Sequence, residues 1–159
     1  MNPPIIFLDF DGVLHPVDYL SFQTVDGELE LYGDARLCWA NILLQLIENY
    51  QCELVVHSSW RLSYSLPEIR AMIPTGLRER ILGATKGGNR YDGILAYAKD
   101  AQPCAYVILD DMADEFPQPC PELLLCDGTT GVSDNRIQAA LNEFLMRACQ
   151  QFCVSADDS

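Results

Sequence analysis

Two aspartates, spaced two residues apart, follow a short apolar segment near the start of the chain. The segment, residues 5–8, has prolines before it and Gly12 after it, a pattern typical of a buried strand. Gly12 lets the backbone turn sharply just after the aspartates. Asp9 and Asp11 then lie at the carboxyl end of the strand, where ligands bind in open α/β sheets. Because residues two apart on an extended chain share a face, both carboxylates can address one centre.

Polar side chains also end two later apolar segments. Ser58 follows residues 54–57, and Asp110 and Asp111 follow residues 105–109. The set matches the needs of phosphoryl transfer, in which a carboxylate attacks phosphorus while a second acid protonates the leaving oxygen and later deprotonates water. Magnesium, which prefers oxygen ligands, must offset the repulsion between carboxylate and phosphate. A hydroxyl and a cation should hold the phosphoryl oxygens.

The stretches between these polar residues alternate between strand and helix patterns. Asp26-Gly27 is a two-residue turn signal that predicts a β-hairpin flap within residues 15–33, beside the carboxylates. Asp34 is expected to cap a helix that ends near residue 50, and Ser133 to cap the final helix. Further strands are expected at 54–57, 80–85, 105–109 and 123–126, and further helices at 65–73 and 92–100. This alternation predicts an α/β fold with a mainly parallel five-stranded sheet covered on both faces.

The residues and their spacing resemble the motifs of the haloacid dehalogenase (HAD) superfamily. Its first motif is Asp-x-Asp-Gly-x-Leu, and by that resemblance Asp9 is the nucleophile and Asp11 the general acid/base. Ser58 matches the second motif, a Ser or Thr that closes a hydrophobic strand. Asp110-Asp111 matches the acidic fourth motif, which binds Mg²⁺ together with Asp9 and the backbone carbonyl of Asp11. The resemblance implies a three-layer, Rossmann-like HAD fold with strand order 5-4-1-2-3.

The third motif of the superfamily is a basic residue ahead of the helix that precedes the fourth strand. Lys86 and Arg90 both qualify, and its distance from Asp110 along the chain favours Lys86. The predicted catalytic residues are therefore Asp9, Asp11, Ser58 and Lys86, and the predicted metal ligands are Asp9, Asp11, Asp110 and Asp111. The predicted substrate-binding residues are Gly12, Ser59, Arg61 and Arg90.

Several of these residues also have a purely structural interpretation. The acidic pair after residue 109 is compatible with a turn, and Ser58 or Ser59 with a helix cap. Arg61 is equally compatible with a surface ion pair. His15 is expected either to line the pocket or to pack on the flap, and Trp60 to lie in the core.

The motif variants are narrower than the superfamily as a whole. The stretches LDFDGVLHP, SSWR and LDD resemble a compact branch that includes the HAD domain of Swiss Army Knife RNA repair proteins. The resemblance implies a magnesium-dependent phosphatase, with a nucleic-acid-end phosphatase in RNA repair as the alternative. Residues 15–33 hold only a hairpin and residues 58–86 are few, so no large cap domain is expected. Without a cap, the site is expected either to stay open for a large phosphorylated substrate or to be covered by a second copy of the chain in a homo-oligomer.

Composition limits the remaining possibilities. The 159 residues include 10 Lys and Arg against 23 Asp and Glu, a net charge of −13, so tight non-specific nucleic-acid binding is not expected. Seven cysteines without a Cys-x-x-Cys spacing favour a reduced, cytoplasmic protein. No apolar run is long enough to cross a membrane, and the first residues lack the basic region of a signal peptide. One HAD-like domain is expected over residues 1–154, with a frayed tail at 155–159.

Three other classes of function compete with a phosphatase. A dehalogenase needs the nucleophile but not an acid at position 11, so Asp11 argues against it. A phospho-receiver domain also combines a sheet, acidic residues, a hydroxyl and a lysine, but it lacks a general acid two residues after the acceptor. A catalytically silent HAD-like domain that binds a partner is the third alternative, and the complete motif set argues against it.

Overall fold

The chain alternates strands and helices over residues 2–157, which are the residues that the computed structural model describes. The strands are β1 (Ile5–Leu8), β2 (Leu20–Val25), β3 (Glu28–Asp34), β4 (Glu53–Val56), β5 (Ile81–Ala84), β6 (Tyr106–Asp110) and β7 (Leu123–Leu125). The helices are α1 (Ala40–Ile47), α2 (Leu66–Met72), α3 (Thr75–Arg78), α4 (Arg90–Ala101) and α5 (Asn135–Asp157). Short 3₁₀ turns lie at Ser59–Leu62, Ala113–Glu115 and Gly131–Ser133.

Five of the strands form one sheet in the order β5-β4-β1-β6-β7, and all neighbouring pairs in it are parallel. The predicted α/β class with a mainly parallel five-stranded sheet is therefore confirmed. The expected order 5-4-1-2-3 numbers only the five strands of this sheet. The observed order has different numbers because the hairpin strands β2 and β3 are also counted along the chain. β1 is central and buried on both faces, which explains its uninterrupted apolar sequence.

The two faces of the sheet are covered by different helices. Ile6 and Leu8 of β1 pack with apolar side chains of α1, α2, α3 and α5. Ile5 and Phe7, which alternate with them along the strand, pack with Ile94 of α4 on the opposite face. The result is a three-layer arrangement with β1 in the middle of the central layer.

The strands β2 and β3 pair with each other as a separate antiparallel hairpin. Both residues of the turn have left-handed backbone conformations, with φ of 51° at Asp26 and 79° at Gly27. The small hairpin predicted from Asp26-Gly27 is therefore present. Its strands cover residues 20–34 rather than filling the whole 15–33 segment.

The first helix is shorter than its sequence pattern predicts. Asp34 is the last residue of β3, and its carboxylate accepts the amide of Arg36 in a turn rather than capping a helix. Leu37 then has a left-handed φ of 56°, which interrupts any helix, so α1 begins only at Ala40. The prediction of a helix from 34 to about 50 is wrong over its first turns.

The start and end of α5 also differ from the sequence prediction. Ser133 belongs to a 3₁₀ turn, and it is Asp134 whose carboxylate accepts the amide of Arg136 at 2.8 Å. The helix continues to Asp157, within the segment expected to form a frayed tail at 155–159, and residues 158 and 159 lie outside the described part of the chain. Among the described residues, no helix combines the length and the apolar composition needed to cross a membrane.

Candidate active site

Parallel pairing brings the ends of three strands to one edge of the sheet. Leu8, the last residue of β1, is in register with Val56 of β4 and with Leu109 of β6. The next residues keep this pairing, because the amide of Asp9 donates to the carbonyl of Leu109 at 3.1 Å. The polar residues that follow β1, β4 and β6 therefore meet at the carboxyl edge, as their positions in the sequence predict.

Three carboxylates converge at this edge. Asp9, Asp110 and Asp111 each offer an oxygen, and these oxygens lie within 4.8 Å of one another. Asp9 is 1% exposed and Asp110 is fully buried. A cluster of carboxylate oxygens is the donor set that a hard cation such as Mg²⁺ prefers, so the residues fit the predicted metal.

The charge state of this cluster reflects its burial. Burial and the neighbouring Asp110 raise the pKa of Asp9 well above its ordinary value, although Arg90 partly counters them. Burial also raises the pKa of Asp111, with Asp110 adding to the effect. Burial opposes ionisation of Asp110 too, but hydrogen bonds from His57 and the Met112 amide, with the charge of Arg90, hold its pKa below the ordinary value. Burial therefore disfavours the ionised forms of Asp9 and Asp111, which a cation at the cluster would favour.

Arg90 is the basic residue that reaches the carboxylates. Its Nη1 donates to Asp110 Oδ2 at 2.7 Å and to Asp9 Oδ2 at 3.2 Å. The carboxamide of Asn89 caps α4 by accepting the amide of Asp92, so Arg90 is the first residue of the helix. This start places its side chain above the strand ends.

Lys86 lies elsewhere. Its side chain is exposed and lines a cavity of about 390 Å³ between β5 and α4, together with Tyr97 and Asp100. The structure thus brings Arg90, and not the favoured Lys86, into contact with the carboxylates. Distance along the chain from Asp110 does not reveal this difference, because the turn before α4 sets the direction of each side chain.

His57 is a residue of the site that the sequence patterns did not single out. Its ring is fully buried, and Nε2 lies 2.8 Å from Asp110 Oδ2. Burial lowers the pKa of His57, although the hydrogen bond to Asp110 counters this effect. Because an ionised carboxylate can only accept, Nε2 carries the hydrogen of this contact. Only the topology reveals this contact, since β1 separates the strands that carry the two residues.

Asp11 is separate from the three clustered carboxylates and half-exposed. Its Oδ1 accepts from His15 Nε2 at 2.7 Å and lies 3.3 Å from Trp60 Nε1. The side chain of Asp11 is therefore not among the clustered ligand atoms, and the prediction for this residue in metal binding concerned its backbone carbonyl.

Gly12 is where the loop after β1 approaches the acidic cluster. Its φ is +76°, and a Cβ built on it would lie 2.3 Å from Asp111 Oδ2. Any side chain at this position would displace the Asp111 carboxylate. Gly12 is thus required by close approach as well as by backbone conformation.

The segment after β4 carries the remaining predicted residues. Ser58 is fully buried, and its hydroxyl accepts the amide of Trp60 at 3.2 Å as a cap of the 3₁₀ turn. Ser59 is exposed. Arg61 Nε is buried, with no hydrogen-bond partner among the described residues, and burial together with the charge of Arg90 lowers its pKa. Arg61 is thus close enough to Arg90 for their charges to interact.

A cavity of about 400 Å³ adjoins this segment. Aromatic rings of Tyr19, Trp60 and Tyr64 line it, and the guanidinium of Arg36 lies 5.8 Å from the centre of the Tyr19 ring. Trp60 Nε1 lies 3.3 Å from Asp11 Oδ1, so the cavity adjoins Asp11. Burial and the charge of Asp11 raise the pKa of the Tyr19 phenol. Trp60 is buried as predicted, yet one edge of it faces this cavity.

The arrangement separates two kinds of carboxylate. Asp9 shares a buried environment with Asp110, Asp111 and Arg90, whereas Asp11 lies outside it and is held by His15 and Trp60. A carboxylate within an acidic cluster that could hold a cation, with a second carboxylate outside the cluster, is an arrangement suited to substitution at an anionic centre.

Comparison with known proteins agrees with this geometry. A family model described as the HAD domain in Swiss Army Knife RNA repair proteins matches residues 5–137. No curated protein and no solved structure matches the chain.

Proposed function

Because the chain belongs to the family of HAD domains in Swiss Army Knife RNA repair proteins, we propose that it is a magnesium-dependent phosphatase acting on phosphomonoesters. The observation that carries the proposal is the separation of carboxylates at the strand ends. Asp9 lies with Asp110 and Asp111 around one point, and Asp11 lies outside that group. A receiver or silent domain has no need of the second position.

Two carboxylates divide the reaction between them. An oxygen of Asp9 attacks phosphorus and forms an aspartyl-phosphate, while the bond from phosphorus to the leaving oxygen breaks and Asp11 gives that oxygen a proton. Asp11, now ionised, removes a proton from a water that attacks the same phosphorus. The bond from phosphorus to Asp9 then breaks, which releases inorganic phosphate and restores both side chains.

The acidic cluster would hold the metal through Asp9, Asp110 and Asp111. When bound, Mg²⁺ supplies positive charge that offsets the repulsion between these carboxylates and an incoming phosphate. Asp9 has a raised pKa without it, and a nucleophilic carboxylate has to be ionised. The hydrogen bond from His57 holds Asp110 in place, as partners of metal ligands commonly do.

Three further groups would bind the phosphoryl oxygens. Arg90 takes the third-motif role in place of Lys86, because it already contacts Asp9 and Asp110. Arg61 offers a buried Nε without a partner among the described residues, which a phosphate oxygen would satisfy. Ser58 presents a buried hydroxyl after the neighbouring strand, with a hydrogen still to donate.

The test is hydrolysis of nitrophenyl phosphate by the purified protein, with Mg²⁺ and with excess chelator. We expect turnover only with Mg²⁺, and none in the nearly isosteric Asp9→Asn variant, whose amide is a poor nucleophile. The same Asp9→Asn preparation, checked for folding by circular dichroism, controls for a contaminating phosphatase. Equal turnover in chelator would contradict the metal requirement, and an inactive wild-type protein would favour a silent or receiver-type binding domain.

A second candidate is a phosphatase of nucleic-acid ends. The aromatic cavity beside Asp11 favours it, since bases stack on Tyr and Trp rings and the cavity adjoins the residue that would protonate the leaving group. We expect an end-phosphorylated oligonucleotide to be hydrolysed with a higher kcat/KM than a sugar phosphate, and Tyr64→Ala to reduce that preference. A preference for the sugar phosphate would reject this candidate and leave the general phosphatase standing.

A further inference from the structure

Two side chains hold one oxygen of Asp11. His15 Nε2 lies 2.7 Å and Trp60 Nε1 3.3 Å from Asp11 Oδ1. We propose that His15 and Trp60 are positioning residues that orient Asp11 for proton exchange with the leaving oxygen and with water. The inference rests on the proposed function, because the orientation of Asp11 matters to the rate only if this carboxyl transfers a proton.

The partners of His15 determine where its proton lies. The amide of Leu37 donates to His15 Nδ1 at 3.1 Å, so Nδ1 is an acceptor. The proton of the neutral imidazole is therefore on Nε2, which donates to Asp11. Leu37 turns its amide towards the ring from a left-handed conformation, which suggests that this contact shapes the loop before α1.

The two donors assign different roles to the two oxygens of Asp11. An indole N–H is only a donor, and His15 Nε2 is a donor in this arrangement, so Oδ1 accepts from both. A proton carried by Asp11 must then sit on Oδ2, which accepts no hydrogen bond from the described residues. Oδ2 is thus the atom that gives a proton to the leaving oxygen and later takes one from water.

The surrounding loop fixes the His15 ring. The amide of Gly12 donates to the carbonyl of His15 at 2.9 Å, which folds residues 11–15 back on themselves. The ring is fully buried, with the Tyr19 ring centred 4.2 Å away and the Trp60 ring 5.5 Å away. This packing restricts the orientation of the ring, and the ring in turn restricts the Asp11 carboxylate that it binds.

The test compares variants of His15 that preserve one ring nitrogen at a time. Glutamine places its amide near the position of Nε2 and can still donate to Asp11, whereas asparagine reaches only the position of Nδ1. We compare His15→Gln, His15→Asn and Trp60→Phe on two substrates. Phenyl phosphate has a poor leaving group, whereas the dinitrophenolate of dinitrophenyl phosphate leaves without a proton. The measured quantity is kcat/KM, which reports steps through the first irreversible one.

We expect His15→Asn and Trp60→Phe to lower kcat/KM for phenyl phosphate by about tenfold or more, as misplacement of a catalytic group does. For dinitrophenyl phosphate the change should stay within about twofold, since departure of this group needs no general acid. His15→Gln should recover most of the loss seen in His15→Asn. Trp39→Phe, which alters the other tryptophan where it packs against Gly131, is the matched control and should behave as the wild type.

The outcomes separate this inference from the proposed function. An active wild type in which all variants lose the same factor on both substrates would overturn the positioning role alone, because a structural defect does not depend on the leaving group. The same holds if His15→Asn retains as much activity as His15→Gln. An inactive wild type would overturn the proposed function, and the positioning role with it. Trp60→Phe keeps an apolar ring in the core, so the test remains decisive if a His15 variant does not fold.

Discussion

Arg90 and Lys86 are only four positions apart in the chain, yet their side chains contact different parts of the protein. The cap at Asn89 starts α4 so that Arg90 lies in its first turn, over the ends of β1 and β6. Lys86 lies before the turn and its exposed side chain lines a different cavity. The sequence predicts a basic residue at the site but not which one, because only the start of the helix decides where each side chain points.

Replacing the two basic residues separately tests this assignment. Arg90→Ala removes a cation that contacts two carboxylates of the site, and we expect kcat/KM for an aryl phosphate to fall by about a hundredfold. Lys86→Ala serves as the control and should stay within about twofold of the wild type. Measurement at saturating Mg²⁺ separates the loss of phosphate binding from a loss of metal. A large loss of kcat/KM in Lys86→Ala, with a normal value in Arg90→Ala, would assign the third-motif role to Lys86.

Gly12 permits a second experiment on a single residue. Gly12→Ala puts a methyl group where the Asp111 carboxylate lies, whereas Gly27→Ala meets nothing within 4 Å, and both glycines have positive φ. Each variant should lose about 1 kcal/mol of stability from backbone strain. We expect Mg²⁺ to raise the melting temperature of the wild type, and only Gly12→Ala should also lose this rise and the activity. Equal effects of the two substitutions would mean that the approach to Asp111 is unimportant.

Elements with strong local signals follow the sequence closely. The capping box of Ser65 and Glu68 is present at α2, and Asp26-Gly27 forms the turn between β2 and β3. The helix expected to begin at Asp34 begins only at Ala40, because long-range contacts of residues 34–39 outweigh the apolar periodicity of the segment. The amide of Leu37, which an earlier helix would use internally, instead donates to His15. No pattern within residues 34–50 reveals that partner, since it lies in the loop after β1.

The hairpin contributes less to stability than its apolar residues suggest. Leu29 is 71% exposed, whereas Leu54 of β4 is fully buried, so truncation should affect them very differently. We expect Leu54→Ala to lower the free energy of unfolding by about 2–5 kcal/mol and Leu29→Ala by less than about 0.5 kcal/mol. Urea denaturation followed by circular dichroism measures both. A large loss in Leu29→Ala would show that the hairpin packs on the rest of the protein in solution.

At the scale of the whole molecule, the sequence predicts the arrangement of strand ends better than the contacts between them. Alternating strands and helices imply a parallel sheet, and a parallel sheet gathers the residues after β1, β4 and β6 at one edge. The contacts of His57 with Asp110 and of His15 with Asp11 depend on side-chain directions that spacing does not encode. The acidic composition, in contrast, is visible at once and acts over the whole surface.

The charge of the chain leads to a prediction about nucleic acids. With a net charge of −13, the protein repels a polyanion before contact, and non-specific affinity depends on neutralisation of phosphates by Lys and Arg. The charges of Arg61 and Arg90 interact near the strand ends, so the site has positive charge of its own. These two side chains can bind one terminal phosphate but cannot neutralise a run of internal phosphates.

We therefore expect single-stranded RNA or DNA without terminal phosphates to bind with a Kd weaker than about 100 µM at physiological salt. The measurement is a fluorescence anisotropy titration of the Asp9→Asn variant, which should not turn over a phosphorylated ligand. The same oligonucleotide with a terminal phosphate is the matched control, and in the presence of Mg²⁺ it should bind more tightly if ends are substrates. Sub-micromolar binding of the unphosphorylated strand, with an affinity that falls steeply as salt increases, would contradict the prediction. Such a result would mean that basic side chains track the nucleic-acid backbone in spite of the acidic surface.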